Sequence, residues 1–137
     1  MRSRHHFPIS AFVGLALAAT VETGVPGPAV VACAALLGTF VDLDHFLIAR
    51  LRTGNWDALR RCLSDPRMAL FDQTEIFARG DVGARTRLVS HLLIAVLLVG
   101  GLWGVAPELA IVAGVVLAVH VGCDVAWDAW RGELWRG

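Results

Sequence analysis

The sequence predicts an all-α protein, an integral membrane bundle of about four transmembrane helices with an interfacial amphipathic segment in its central loop. Hydrophobic residues make up 56% of the 137-residue chain, and the mean hydropathy is +0.63. These values are high for a water-soluble domain of this length. Glycine and proline separate four apolar stretches, which is the pattern of turns between helices. We therefore expect one membrane domain over residues 1–137.

The four apolar stretches are the predicted spans, and they cover residues 7–21, 28–49, 88–105 and 107–127. The last three approach the roughly 20 residues that cross about 30 Å of hydrocarbon. The first is shorter and spans only with local thinning of the bilayer or with flanking side chains that reach its surface. An alternative for this first stretch is a signal peptide that is cleaved.

A loop of about residues 50–87 joins the second and third spans. Trp56, Leu59 and Leu63 share one face of a short helix in this loop, whereas Arg60 and Arg61 lie on another. Such a helix is predicted to lie in the membrane interface. It serves either as a plain connector or as a lid over a site.

The distribution of arginine predicts the orientation of the bundle. All 12 cationic residues are arginine, and the net charge is zero. These arginines flank the two chain ends or lie in or beside the central loop, and they are Arg2, Arg4, Arg50, Arg52, Arg60, Arg61, Arg67, Arg79, Arg85, Arg87, Arg131 and Arg136. Because positive segments stay inside, we predict a multi-pass protein of the cell membrane with both termini cytoplasmic. A zero net charge gives no reason to expect a nucleic-acid partner. A chain this small is expected to be able to form a homo-oligomer.

Ligand-type side chains occur near one end of every span. Because successive spans alternate in direction, these ends share the cytoplasmic face. His120 and Asp124 are four residues apart, and Asp42 and His45 are three apart, so each pair shares a helix face. The segments therefore predict one shallow polar layer that contains His5, His6, Asp42, Asp44, His45, His91, His120 and Asp124.

The energetics of this layer favour a cation. An aspartate at mid-bilayer costs roughly 2.5–3.5 kcal/mol on insertion scales, and neighbouring carboxylates also repel one another. Arg50 and Arg87 are candidate counter-charges, and a divalent metal is the other candidate. A mixed Asp/His set suits zinc, manganese or iron better than calcium. The simpler alternative is that the histidines are ordinary interfacial residues and the aspartates pair with arginine.

Two short motifs carry a family resemblance. The chain reads Val41-Asp42-Leu43-Asp44-His45 near the end of the second span, and His120-Val121-Gly122-Cys123-Asp124 near the end of the fourth. In these motifs and in its four-span layout it resembles the small membrane-bound metal-dependent hydrolases typified by the bacterial inner-membrane protein YdjM. A third family motif is kept only at Arg87 and His91, since Thr86 stands where the family has histidine.

The resemblance implies a metal-dependent hydrolase at the cytoplasmic face of the membrane. The expected ligands of a divalent metal, zinc or manganese, are Asp42, His91, His120, Asp124 and, from the opening helix, His6. Such a metal activates a water molecule and polarises an ester or phosphoester. Asp44 or His45 is the expected general base or positioning group, and Arg87 is expected to neutralise the phosphate of a lipid substrate.

Two other functions stay open on the sequence alone. One is a non-catalytic membrane protein, either a metal-binding scaffold or a subunit whose polar layer binds a partner, and Thr86 favours it. A transporter is less well supported because polar residues are confined to one end of the spans. The sequence contains no GxSxG motif and no motif of a soluble nuclease.

Overall fold

Helices form most of the part of the chain that this computed structural model describes, which is residues 3–65, 67–68, 76–78 and 80–134. They are α1 (Ser3–Thr20), α2 (Gly27–Phe40), a 3₁₀ turn (Val41–Leu43), α3 (Asp44–Thr53), α4 (Asp57–Ser64), α5 (Ala84–Trp103) and α6 (Pro107–Trp130). These described residues contain no strand. Three arginines used to predict the orientation, Arg2, Arg79 and Arg136, lie outside the described residues.

Three helical stretches are long and apolar enough to cross a membrane, and α1 is a shorter apolar helix beside them. The three are Gly27–Thr53, which joins α2 and α3 through the 3₁₀ turn, Ala84–Trp103 and Pro107–Trp130. Proline occurs in the first turn of α2 and of α6, where its missing N–H costs no helical hydrogen bond. The predicted all-α membrane bundle is confirmed as a fold class.

The helices beside the central loop extend further than the apolar stretches. α3 continues to Thr53 and α5 begins at Ala84, so the connection between them covers 54–83 instead of 50–87. Arginine is a good helix former, and its long side chain can reach water from a helix end. Gly54 ends α3 in the left-handed region, with φ 79°, and its N–H donates to the carbonyl of Arg50.

Close packing of α1 against α2 depends on glycine. A Cβ atom on Gly14 would lie 2.7 Å from the Cβ of Ala34, and a Cβ atom on Gly38 would overlap the side chain of Ser10. Beside this contact, α2 and α6 share an apolar core that includes Val30 and Val116. The result is that α1, α2 and α6 surround one interior, against which α5 packs through α6.

Polarity is reversed relative to a water-soluble protein. Large apolar side chains are exposed on α5, for example Val96 at 69% and Leu97 at 65%. Among the residues with described side chains, the interior instead contains seven that are polar and buried, which are His6, Ser10, Asp42, His91, His120, Asp124 and Asp128. This arrangement fits an apolar solvent around the helices and a polar site between them.

The short helix α4 carries the predicted amphipathic pattern. Ala58 is buried, and together with the half-buried Cys62 it packs on the cluster formed with Ala49. Trp56 and Leu63 lie on the opposite face, and their side chains are 41% and 71% exposed. One face of α4 therefore packs on the bundle, whereas the face with these two apolar side chains is exposed.

Candidate metal centre

The polar cluster lies where the helix formed by α2 and α3 is interrupted. The 3₁₀ turn at Val41–Leu43 separates the two α-helices and carries Asp42, and Asp44 begins α3. On a regular α-helix these two aspartates lie about 160° apart, whereas a 3₁₀ turn brings residues two apart toward about 120°. Both carboxylates consequently reach α5, where they contact opposite sides of one imidazole ring.

That ring belongs to His91, which is 1% exposed. Its Nδ1 lies 3.1 Å from Oδ2 of Asp44, to which it donates. Its Nε2 lies 3.2 Å from Oδ1 of Asp42 and 3.9 Å from Oδ2 of Asp124. The hydrogen bond at Nδ1 therefore orients the ring so that Nε2 faces the carboxylates of Asp42 and Asp124.

His120 repeats this arrangement from α6. Its Nδ1 donates to the backbone carbonyl of Gly38 at 2.8 Å. Its Nε2 lies 3.3 Å from Oδ1 of Asp42 and 3.6 Å from Oδ2 of Asp124, and this buried atom has no hydrogen-bond partner. In the neutral ring that Nδ1–H fixes, Nε2 presents a lone pair toward carboxylate oxygens.

Nε2 of His91 makes a hydrogen bond to Asp42, whereas Nε2 of His120 has no hydrogen-bond partner and faces carboxylate oxygens. Either a ring proton or a metal ion supplies the positive centre that this arrangement needs. Metal-bound histidines typically hold their second nitrogen against a carboxylate or a carbonyl, as His91 and His120 do here. Ligand atoms about 2.1 Å from one tetrahedral ion are about 3.4 Å apart. The four nitrogen–oxygen separations in this cluster run from 3.2 to 3.9 Å. The donor set therefore fits a divalent metal.

The four side chains together form a candidate metal group. One ligand atom from each of Asp42, His91, His120 and Asp124 lies within 4.8 Å of every other, and all four residues are buried. These residues come from the 3₁₀ turn, α5 and α6, as the alternating spans predict. The cluster can hold a metal ion; the identity of the ion is not fixed by these contacts.

His6 lies beside this group. Its Nε2 is 3.2 Å from Oδ1 of Asp124, the carboxylate oxygen turned away from His91 and His120. Its ring stacks on that of His120 with centroids 3.8 Å apart and planes at 22°. These two contacts hold Asp124 and His120 from the α1 side, so His6 adjoins the metal group by contacting two of its members.

Asp44 and His45 form an adjoining pair. Oδ2 of Asp44 accepts from His91 and from the hydroxyl of Ser90. Its Oδ1 and Nε2 of His45 are buried, have no hydrogen-bond partner and lie 3.7 Å apart. The His45 ring stacks on His91 with centroids 5.4 Å apart. Asp44 is thus placed to orient His91, which was one of its two predicted roles.

Arg87 closes the group on the α5 side. Its Nε lies 3.4 Å from Oδ2 of Asp124, and its Nη2 donates to Asp128 on the next turn of α6. The guanidinium is 14% exposed, and both carboxylates are more deeply buried. Its charge is therefore shared with two aspartates, and the neutralisation of a substrate phosphate by Arg87 remains a prediction.

A narrow cleft between the first turns of α5 and the last turns of α6 leads to the cluster. Apolar side chains and Arg87 line it, and it reaches His91 and Asp124. It opens near Ala84 and Leu134, at the end of the bundle that carries the central loop. Its volume of about 10 Å³ is room for about one water molecule beside the candidate metal position.

Asp128 shares a helix face with His120 and Asp124, as its four-residue spacing from Asp124 predicts, and it pairs with Arg87. Two other contributors to the site were not predicted from the sequence. The hydroxyl of Ser90 and the carbonyl of Gly38 carry no such signal, because either group is common in apolar helices. Thr86, where the resembling family has histidine, is exposed on α5 and does not belong to the cluster.

Comparison with models of known families, with curated proteins and with solved structures finds no match to this chain.

Proposed function

We propose that the protein is a membrane hydrolase that uses one or more divalent metal ions at the cytoplasmic face, with a lipid phosphoester or ester as its substrate. The observation that carries the proposal is the orientation of His91 and His120. Each donates from Nδ1 to a fixed acceptor and directs Nε2 toward Asp42 and Asp124. This preorganisation supports metal binding, since imidazole and carboxylate ligands suit zinc and manganese.

The residues around the cluster have roles in this proposal. A divalent metal held there supplies Lewis acidity and a nucleophile at neutral pH. Asp44 holds the His91 ring, His6 holds Asp124, and Arg87, which lines the cleft, is the candidate group to neutralise a substrate phosphate. His45, whose Nε2 has no hydrogen-bond partner, is the candidate group to take a proton from the nucleophile.

Position supports a lipid-type substrate. The cleft to the cluster opens at the end of the bundle that carries the loop, and apolar side chains line much of it. The exposed apolar face of α4, with Trp56 and Leu63, fits a membrane surface at that same end. Zinc and manganese are the proposed metals, and the resemblance to the YdjM-type hydrolases is a second support.

The test combines metal content with turnover. The purified protein should retain zinc or manganese, and it should hydrolyse phospholipid in mixed micelles in a reaction that EDTA stops and added metal restores. Release of phosphate or head group identifies a phosphoesterase, and release of fatty acid an esterase.

His91→Ala and Asp124→Ala should each lower metal affinity by more than about 100-fold, because loss of an outer partner already costs about 10–100-fold.

Asp57→Ala is the matched control, since Asp57 is an exposed carboxylate on α4. It should retain both metal and turnover. Bound metal without turnover on any phospholipid would favour the alternative, a metal-binding scaffold. Absence of metal in a folded wild-type protein, together with unchanged thermal stability in both alanine variants, would refute the site.

A further inference from the structure

We propose that Asp44 and His45, with Asp42 shared between the two positions, form a second divalent-metal position next to the first. This inference deepens the proposed function and rests on it, because the second position adjoins the His91–His120 group. Here Nε2 of His45 and Oδ1 of Asp44 are metal ligands, and for His45 this role replaces the proton-accepting role given to it above. The centre then belongs to the two-metal class that is common among phosphoester hydrolases.

Asp44 provides the first argument. Its side chain is only 8% exposed. Its two oxygens differ in the hydrogen bonds that they accept. Oδ2 accepts two hydrogen bonds, from Ser90 and His91, whereas the buried Oδ1 has no donor. A buried carboxylate oxygen with no donor is costly, and a cation at Oδ1 removes that cost.

His45 provides the second argument. Its Nε2 is buried, lacks a hydrogen-bond partner and points between two carboxylates, 3.6 Å from Oδ1 of Asp42 and 3.7 Å from Oδ1 of Asp44. Both separations exceed a hydrogen bond but are close to the roughly 3.4 Å between two ligand atoms of one tetrahedral ion. The ring is held between His91 and the edge of Phe77.

Asp42 joins the two positions. Its Oδ1 lies within 3.2–3.6 Å of the Nε2 atoms of three histidines, His91, His120 and His45. The first two belong to the first metal group and the third to the second pair. A carboxylate with nitrogen ligands on both sides is suited to bridge two cations.

The experiment counts the ions. Chelator-stripped protein is reloaded with Mn²⁺, and manganese per chain is measured by mass spectrometry alongside the electron paramagnetic resonance spectrum. We expect about two ions per chain in the wild type, with the six-line signal of isolated Mn²⁺ weakened by coupling through Asp42. His45→Gln should retain about one ion and recover the six-line signal.

Asp44→Asn is the second variant, because it preserves the shape of the side chain, and Asp57→Asn is its exposed control. Asp44→Asn should also lose the second ion, whereas Asp57→Asn should retain both. One ion in the wild type that survives His45→Gln would overturn the second position and leave the first intact. Two ions unaffected by His45→Gln and Asp44→Asn would overturn the assignment of residues, and no bound ion would overturn the proposed function as well.

Discussion

Asp124 is a carboxylate of the cluster that contacts side chains from three helices. Its Oδ1 meets His6, and its Oδ2 lies near Arg87, His120 and His91. One carboxylate therefore connects α1, α5 and α6 at the centre of the site. Arg87 balances part of this charge and also pairs with Asp128, so the guanidinium has a structural as well as an electrostatic role.

Removal of this buried cation should be costly. We expect Arg87→Gln to lower the free energy of unfolding by about 3–5 kcal/mol, because it leaves Asp128 buried without its guanidinium partner. The double variant Arg87→Gln/Asp128→Asn should recover part of that loss, since position 128 is then uncharged and Asp124 keeps its contact with His6. Chemical denaturation in detergent would measure both values.

The exposed pair Arg60–Asp57 on α4 is the matched control for this cycle. Its atoms lie 3.5 Å apart, but both side chains are more than half exposed. Arg60→Gln should therefore cost no more than about 1 kcal/mol. Equal losses at positions 60 and 87, or a double variant no more stable than Arg87→Gln alone, would contradict the role given to the buried pair.

The orientation of the Arg87 side chain could not be predicted from the sequence. Depth along each span was enough to predict that Asp42, His91, His120 and Asp124 could meet, and the structure places them together. Whether Arg87 faces a substrate or Asp128 depends on helix rotation and side-chain torsion. Neither follows from an apolar pattern, in which nearly every face of a membrane helix is hydrophobic.

Among the elements, the 3₁₀ turn and the contact between α1 and α2 shape the site. Helix type and approximate bounds followed from apolar length, but the turn at Val41–Leu43 did not. Its residues carry no glycine or proline, so no local signal identifies it. Ser10, Gly14 and Ala18 recur at four-residue spacing on α1, a pattern that favours close approach of helices, and Gly14 lies against Ala34.

This contact should be sensitive to a single methyl group. Gly14→Ala places a Cβ 2.7 Å from Cβ of Ala34 and 3.0 Å from the Val31 backbone. We expect a loss of about 1–3 kcal/mol from overpacking, and weaker metal binding because α1 carries His6. Gly100→Ala on α5 is the control, since its Cβ meets nothing within 4 Å.

Gly100→Ala should be neutral or stabilising by up to about 1 kcal/mol, because alanine is the better helix former. Thermal unfolding in detergent and a Mn²⁺ titration of both variants would test the difference. If Gly14→Ala and Gly100→Ala had the same melting temperature, α1 would not pack on α2 as closely as described.

At the scale of the whole molecule, the polar interior and the apolar exterior fit one interpretation. In the part of the chain that the structure describes, seven polar side chains are buried between the helices, whereas leucine, valine and phenylalanine cover much of the exterior. Three helices of that part have the length and composition of membrane spans. Composition alone was enough to predict the fold class, an all-α membrane bundle. The side of the membrane that the site faces depends on the arginine distribution, and it stays a prediction.

Orientation can be tested by labelling in vesicles of known sidedness. In a chain whose Cys33, Cys62 and Cys123 are replaced by serine, one new cysteine is introduced at Glu22 or at Arg60. Glu22 follows α1 in the turn to α2, and Arg60 lies on α4 in the arginine-rich connection. A membrane-impermeant maleimide should label Arg60→Cys in inside-out vesicles and Glu22→Cys in right-side-out vesicles, because the arginine-rich side stays in the cytoplasm. Detergent-treated vesicles give the total labelling of each variant. The opposite pattern would place the polar cluster at the outer face, and labelling of both positions from one side would mean that the stretch from α2 to α3, Gly27–Thr53, does not cross the membrane.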